Sequence, residues 1–480
     1  MAAVTATVNA APVSTAEHKL TAPSHPVQRC GAWAVAVLAG RESPEAVTQD
    51  DLDTAAERLT SDVVRAATAP KDGSGYDWWK VLFALYPNAK PTHALRSHDP
   101  DVLRPGVAAM FAPDPPTGAF RPCTFCSQPS PVLWAKSTLP MFDTTKAVNS
   151  LPPRTAGWPV CRACRVAVWA LPYGAWLTAG SATVMTCDNA AVMRSFTRRN
   201  ADRASKIQQL GFDGLPANAA AETITLAALR ANAADAPAGA TLWMFKNDNQ
   251  DPWLRVTATS GGTPTFLRRM YAEPDCRWGW GALQAALTRR DKEGRVTTSG
   301  AAEAAKTLFE PEGQPPGRLL RTLRNLTDDP GRVTARKVTA WRALCHLYLK
   351  EICGMDTDQL SRLKPVRELL ADWITQEPNP RGRFNEYRQV AGKPYELQKL
   401  LMTASARLYL DGRQPAVING VTPDLLVGQD GWRLRGQLFF DVIAELVARD
   451  AKTGLKSEDE PEDDAEVGFD ETDHRIEEGA

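Results

Sequence analysis

Length, composition and charge limit the kinds of protein that this chain can be. Its 480 residues suffice for about two to four domains, and 43% hydrophobic residues can bury a large core. Nine cysteines in a chain without a recognisable secretion signal argue against a secreted disulfide framework. The formal net charge of zero is unevenly distributed. Residues 457–480 carry twelve Asp or Glu and one Arg, which leaves 44 acidic and 55 basic residues before them.

The sequence before residue 457 therefore has a formal charge of +11, and the acidic tail, residues 457–480, has a charge of −11. This separation favours a polyanionic partner, although it also fits a tail that only improves solubility. The tail has almost no apolar residues to pack, so we expect it to be disordered. If basic faces bind nucleic acid, the tail should compete for them.

The amino-terminal residues 1–28 are rich in Ala, Thr, Pro and Val and show no lasting period. They lack the basic start and apolar block of a signal peptide, so we expect a disordered leader and a cytoplasmic protein. Residues 166–187 contain no charge, but Pro172 and Gly174 interrupt them. We therefore expect a buried element there and not a membrane span.

Residues 29–120 are predicted to form an amino-terminal α/β part. Apolar residues recur there at helical spacing, and Asp50 or Asp51 could cap the helix. The recurring residues are Leu52, Ala55, Ala56, Leu59, Val63 and Ala66. An aromatic run over residues 78–86 follows.

Two CxxC pairs, in RPCTFCSQ and WPVCRACR, distinguish the loop-rich region 121–190. Two thiolates in a tight turn can hold one side of an ion, and a second such turn completes a tetrahedral shell. The pattern predicts a structural zinc site formed by Cys123, Cys126, Cys161 and Cys164. The 34 residues between the pairs exceed the usual loop of about 15–20, which indicates an insertion. A redox dithiol, or cysteines that hold no metal, are the alternatives.

The remainder of the chain is predicted to be mainly helical. Residues 191–315 form a mixed α/β part, with helix over 191–235 and strands over 242–245 and 253–259. Residues 316–456 form a carboxyl-terminal bundle of four or five helices. The predicted fold class is therefore α+β, mainly α, and multi-domain.

Two groups of cations on predicted helices suit contacts with nucleic-acid phosphates, which carry affinity but little sequence information. In RLLRTLRNL the leucines share one helix face, and the arginines lie on the other. A solvated helix face is the alternative for each group. The candidates are Arg194, Arg198, Arg199, Arg203, Lys206, Arg318, Arg321, Arg324, Arg332, Arg336 and Lys337.

Motifs for catalysis are few. The sequence has no GxxxxGK[ST] loop and no HExxH pair, and its six His residues offer few candidates for general acid–base chemistry. Residues 361–364 fit SxxK and residues 452–454 fit KTG, which are fragments of the penicillin-binding signature, but they lie in a charged helix and beside the acidic tail. We therefore predict no catalytic residue and no enzyme activity.

The double CxxC region resembles the CRISPR-associated CxxC–CxxC family over residues 123–187. The second pair and its apolar continuation, VCRACRVAVWALPYGAW, are similar to the family pattern, and LFALYPNAKPTHAL and TLWMFKNDNQDPWLRV also resemble it. These family members are zinc-containing large subunits of type I (I-A/I-B-like) crRNA-guided surveillance complexes, called Cascade, which serve antiviral defence.

The resemblance implies a role in a complex. It implies binding to the crRNA 5′ handle and to target double-stranded DNA, inspection of the protospacer-adjacent motif, contact with other Cascade subunits, and presentation of DNA to a separate helicase-nuclease. Guide pairing reads most of the target sequence in such effectors. Two other hypotheses stay open, a zinc-containing DNA-binding regulator, which would need a recognisable reading helix, and a nucleic-acid-processing enzyme, which would need clustered acidic or His ligands.

Overall fold

The structure is a computed structural model, and it describes residues 19–135, 138, 156–215, 219–233, 237–247, 252–327, 333–418, 424–425, 428 and 431–454. The acidic tail, Arg332 and the first 18 residues of the predicted leader lie outside the described residues. Among the residues that the structure describes, helix accounts for 58% and strand for 9%, so the predicted α+β, mainly α class is confirmed.

The chain divides into two compact units. Unit 1 comprises the described residues of Met1–Ala217 and Thr241–Val256, and unit 2 those of Asn218–Ala240 and Thr257–Ala480. The sequence predicts a larger number of parts over the same residues, because local composition changes several times along the chain. Compactness depends instead on long-range packing, which local composition does not report.

The described part of unit 1 holds six α-helices and a short 3₁₀ helix, Pro44–Ala46. The α-helices are α1 (Pro26–Leu38), α2 (Gln49–Thr68), α3 (Ser74–Leu85), α4 (Pro100–Phe111), α5 (Arg162–Gly174) and α6 (Ala190–Leu210). Regular structure begins earlier than the expected end of the leader at residue 28. Helix α1 starts at Pro26, and Leu20 is fully buried in the same hydrophobic core as α1.

The predicted cap of α2 is also revised. Thr48, and neither Asp50 nor Asp51, is the N-cap, and its hydroxyl accepts a hydrogen bond from the Asp51 N–H at 3.2 Å. The Asp51 carboxylate accepts one from the Thr48 N–H at 2.9 Å. Asp51 thus completes a capping box from inside the helix.

Short strands connect the helices of unit 1. Strands β1 (Arg121–Pro122) and β2 (Pro129–Ser130) form one antiparallel pair, and β3 (Leu133–Trp134) and β4 (Trp158–Pro159) form another. A larger sheet has the order β8-β7-β6-β5. Its members are β5 (Trp176–Leu177), β6 (Ala182–Cys187), β7 (Ala240–Lys246) and β8 (Trp253–Ala258), so both predicted strands are confirmed. Within unit 2, Thr257 and Ala258 at the end of β8 pair with β11 (Glu310–Pro311).

Unit 2 is mostly helical. Its described helices are α7 (Ala221–Asn232), α8 (Thr263–Ala272), α9 (Pro274–Leu287), α10 (Gly300–Lys306), α11 (Arg318–Leu326), α12 (Ala335–Glu351), α13 (Thr357–Ser361), α14 (Lys364–Thr375), α15 (Pro380–Val390), α16 (Pro394–Leu410) and α17 (Gly431–Ala448). Strands β9 (Arg289–Arg290) and β10 (Val296–Thr298) form a hairpin. The described residues of this region form seven helices where four or five were predicted. Pro394, for example, starts α16 shortly after α15 ends at Val390.

Helices α1 and α5 pack against each other with an unusually close backbone approach. A Cβ atom on Gly31 would lie 1.7 Å from the Ala167 carbonyl oxygen, and one on Gly174 would lie 2.7 Å from the Cys30 carbonyl oxygen. On another side of α5, the Tyr86 and Trp169 rings stack with their centroids 4.1 Å apart. Almost every residue of α5 is buried, as expected for this uncharged segment.

The uncharged segment is interrupted at the end of α5, and the chain continues as β5 and β6. Among the helices that the structure describes, none has the length and apolar character needed to span a bilayer. The apolar residues of α5 instead pack within unit 1.

The close approach at Gly31 predicts a strong response to a single methyl group. Gly31→Ala should lower the free energy of unfolding by about 3 kcal/mol, because the new Cβ atom forces α1 and α5 apart. Denaturant unfolding measures this change. Gly106→Ala is the matched control, since Gly106 is exposed in α4 and a Cβ there meets nothing within 4 Å. That control should be about 0.5–1 kcal/mol more stable than the native chain.

Candidate metal centre

The first CxxC pair lies in the turn between β1 and β2. The Cys123 N–H donates to the Gln128 carbonyl oxygen at 2.7 Å, and the Ser127 N–H donates to the Cys123 carbonyl oxygen at 2.9 Å. Ser127 has a φ of 63°, a left-handed conformation that few non-glycine residues adopt. This conformation lets the chain reverse within a few residues, so Cys123 and Cys126 stay on one side of the turn.

The second pair lies where β4 meets helix α5. Cys161 is the N-cap of α5 and Cys164 is in its first turn. Two backbone hydrogen bonds join this segment to the first half of the site, from Thr124 N–H to the Pro159 carbonyl oxygen at 2.8 Å and from Val160 N–H to the Val132 carbonyl oxygen at 3.0 Å. The amino end of a helix favours negative charge, so thiolates suit this position.

The four sulfur atoms come together in one cluster. The Sγ atoms of Cys123, Cys126, Cys161 and Cys164 all lie within 4.8 Å of one another, and those of Cys126 and Cys161 are 3.5 Å apart. A tetrahedral metal with sulfur ligands at about 2.3 Å requires sulfur–sulfur edges of roughly 3.8 Å. A disulfide requires about 2.05 Å, and all four residues are free thiols. The donor set therefore fits a four-thiolate metal site.

Because the four thiols lie close together, their pKa values shift in opposite directions. Hydrogen bonds from the Cys126 thiol, and then from those of Cys161 and Cys164, hold the pKa of Cys123 far below its ordinary value. The pKa values of Cys161 and Cys164 are raised by their hydrogen bonds to Cys123 and Cys126 and further by burial. A cation among the sulfurs would favour the thiolate form of all four.

A glutamine that sequence reasoning missed contacts the cluster. Gln28, on α1 and fully buried, donates from Nε2 to Cys164 Sγ at 3.5 Å and to the Thr21 carbonyl oxygen at 3.0 Å. Such outer hydrogen bonds orient metal ligands. Gln28 is 136 residues from Cys164 and within the expected leader, so no local pattern could have identified it.

The two arginines of the second pair stabilise the fold beside the cluster. Arg165 is 2% exposed, donates to the Met110 and Ala112 carbonyl oxygens at 2.8 Å, and forms an ion pair with Asp114. The backbone N–H of Arg162 donates to the Asp114 carboxylate at 3.1 Å. The first turn of α5 is thereby attached to the end of α4.

The predicted cations of α6 have different environments. Arg203 lies over the Trp176 ring at 3.8 Å and donates to the Leu177 carbonyl oxygen at 3.3 Å, and burial lowers its pKa to about 10. Arg194 forms an ion pair with Glu42. The remaining three cations have no ion pair or hydrogen bond among the described residues, and two of them are exposed while Arg199 is half-buried. They are Arg198, Arg199 and Lys206.

The arginines of α11 contact other residues of unit 2. Arg318 donates to the Phe309 carbonyl oxygen at 2.9 Å. Arg324 donates to the Arg388 carbonyl oxygen at 2.9 Å and lies 3.4 Å from the centre of the Phe439 ring. The predicted face opposite the leucines thus takes part in packing, and two of its three arginines are half-buried.

Glu310, which sequence reasoning missed, organises the start of α11. It is 7% exposed, and its carboxylate accepts hydrogen bonds from the Gly317 N–H at 2.7 Å and the Arg318 N–H at 2.6 Å. Arg321 forms an ion pair with it at 3.5 Å but keeps 53% of its side chain exposed.

The last predicted cations lie on α12. Arg336 is exposed and lies over the Trp278 ring at 4.5 Å, whereas Lys337 is half-buried. The α6 and α12 groups belong to different units. Each group is therefore a separate candidate for contact with nucleic acid.

The cluster predicts that the protein binds a metal ion and that removal of one thiol abolishes this binding. The purified protein should contain about one metal ion per chain, and Cys126→Ser should lose it and unfold at a lower temperature, because a structural ion contributes directly to folding. Elemental analysis and thermal unfolding measure the two effects. Cys353→Ser is the matched control, because Cys353 is also half-buried but lies outside the cluster. Equal metal contents in the two variants would contradict the assignment.

Comparisons with known proteins return no relative. No protein-family model matches the chain, and neither the curated proteins nor the solved structures give a significant match. The four-cysteine cluster and its surroundings therefore carry the functional argument.

Proposed function

We propose that this chain is a non-enzymatic, zinc-containing large subunit of a type I crRNA-guided surveillance complex in the cytoplasm. The observation that carries the proposal is the closure of both CxxC pairs into one cluster at the head of the buried helix α5. The cysteine pairs are also the specific part of the resemblance to the CRISPR-associated CxxC–CxxC family, and the apolar segment after Cys161 is similar to the family pattern. The complex would bind crRNA and target double-stranded DNA and would serve antiviral defence.

The cluster favours a structural zinc ion. Four sulfur ligands in a tetrahedral arrangement are typical of zinc or of iron–sulfur chemistry. Three of the four cysteines are buried and two CxxC turns supply all four ligands, which is the usual composition of a structural zinc site. With all four ligands supplied by cysteines, a bound zinc ion would have no open position for a reacting water. Zinc gives a colourless protein, so elemental analysis together with the absorption spectrum distinguishes the two metals.

Three unpaired cations on α6 support contact with nucleic acid. Arg198 and Lys206 are exposed, and Arg199 is half-buried. Phosphate contacts of this kind give affinity and orientation without sequence preference. In the proposed role, the guide RNA supplies the sequence specificity and the protein contacts the backbone and the short adjacent motif.

Purification from the native host tests the proposed role. The tagged chain should be recovered with a short RNA of constant 5′ sequence and with several copies of a second protein. Sequencing of the bound RNA and mass spectrometry of the bound proteins identify both. Recovery without RNA, together with binding to one defined DNA duplex, would instead indicate a regulator. Metal-dependent cleavage lost on substitution of one acidic residue would indicate an enzyme.

Removal of the unpaired cations of α6 should weaken binding to duplex DNA. In the triple variant Arg198→Ala, Arg199→Ala, Lys206→Ala, each lost phosphate contact should reduce the slope of log affinity against log salt by about 0.9. Binding titrations at several salt concentrations measure this slope.

A second triple variant controls for net charge. Arg65→Ala, Lys80→Ala and Arg104→Ala also remove three positive charges from unit 1, but these residues form ion pairs with Asp or Glu. Their removal should leave the slope nearly unchanged. Equal slopes for both variants would show that α6 does not contact the phosphates.

A further inference from the structure

Residues 19–28 contact both halves of the four-cysteine cluster. This stretch, called the 19–28 segment below, consists of an irregular part and the first residues of α1. Leu20 and Val27 are buried in the same hydrophobic core as three of the four cysteines. The segment therefore belongs to the surroundings of the cluster, although it lies about a hundred residues before the first cysteine pair in the sequence.

Two contacts join the 19–28 segment to the first cysteine pair. Gln128, just after this pair, donates from Nε2 to the Lys19 carbonyl oxygen at 2.9 Å. Phe125 lies inside the pair, and its ring packs edge-on against the His25 ring with the centroids 5.0 Å apart. The segment thus holds the turn that carries the first two sulfurs.

A third contact joins the segment to the second pair. The Gln28 side-chain amide carries two N–H donors on Nε2, and one donates to Cys164 Sγ at 3.5 Å. The other donates to the Thr21 carbonyl oxygen at 3.0 Å. The amide therefore fixes the course of the 19–28 segment relative to one sulfur of the cluster.

The remaining polar atom of Gln28 indicates what this side chain contributes. Gln28 Oε1 is buried and has no hydrogen-bond partner among the described residues. A buried acceptor without a partner destabilises a fold, and a leucine could fill a similar volume without this cost. Packing alone therefore does not account for a glutamine here, whereas a contact with the sulfur of a metal ligand does.

We propose that Gln28 is a positioning residue of the metal cluster and that the 19–28 segment limits exchange of the bound ion. An N–H···S hydrogen bond orients a thiolate and stabilises its charge. An ion can leave only after sulfurs of one pair move away from those of the other. The segment opposes this movement, because it contacts both pairs.

This inference rests on the metal-binding part of the proposed function and not on its RNA-guided part. Release of zinc from the purified full chain to an excess of a colorimetric chelator tests it. Gln28→Leu keeps the volume of the side chain but removes both donors, so zinc should be released about tenfold faster than from the native chain. His25→Ala removes the ring contact with Phe125 and should also accelerate release.

Each variant has a matched control. Gln437 is also buried and its Oε1 also lacks a partner among the described residues, but it donates to Asp441 in unit 2. Ser24 is exposed within the 19–28 segment. Gln437→Leu and Ser24→Ala should release zinc at the native rate. An unchanged rate in Gln28→Leu would refute the positioning role, and an unchanged rate in His25→Ala would refute the role of the segment.

Cobalt in place of zinc adds a measurement that a purely structural role would not change. A Co²⁺ ion with four thiolates absorbs light by charge transfer from sulfur to metal. A hydrogen bond to sulfur stabilises the sulfur electrons and raises the energy of this transition. Cobalt-loaded Gln28→Leu should therefore absorb at longer wavelength than the native chain, and Gln437→Leu should not. An unshifted spectrum, even with faster zinc release, would overturn the positioning role.

The same measurements separate this inference from the proposed function. A native chain that retains neither zinc nor cobalt would overturn the metal centre and this inference together. Native retention of the ion, with unchanged release and an unshifted spectrum in Gln28→Leu, would overturn the positioning role alone.

Discussion

Four sulfur atoms within 4.8 Å of one another cannot all carry the charge of a thiolate unless a cation lies among them. This requirement connects elements that have little else in common. The β1–β2 turn supplies one pair of sulfurs, and the start of α5 supplies the other. Gln28 extends the connection to α1. The amino-terminal helices and the loop-rich region are thus organised around one electrostatic centre.

The four-cysteine cluster could be predicted from sequence because both halves are local. CxxC spacing requires only a tight turn, and the chain brings the turns together through β3 and β4. The strands β7 and β8 were predictable for the same reason, since the alternation of apolar and polar residues along a strand is a local property. Gln28, Gly31 and Glu310 could not be found, because their importance comes from contacts with distant residues, which leave no periodic signal.

Arginine is the residue type for which sequence and structure differ most. Periodicity places Arg318 and Arg324 opposite the leucines of α11, and a guanidinium group on that face could serve a phosphate or a carbonyl oxygen equally well. In the structure both donate to carbonyl oxygens of unit 2, as Arg203 does in unit 1. The formal charge of +11 before residue 457 therefore overstates the charge that is free to contact a polyanion. The exposed cations Arg198 and Lys206 are better candidates for such contacts than the arginines that the fold uses.

The close contact between α1 and α5 has a consequence for synthesis on the ribosome. Gln28 emerges 136 residues before Cys164, which at about 5–20 residues per second is a delay on the order of ten seconds. During that time the apolar surface of α1 lacks its main cover, and exposed apolar surface of this kind is prone to aggregation. Cys123 and Cys126 emerge before their partners too, so an ion captured early would be held by two thiols until Cys161 and Cys164 arrive.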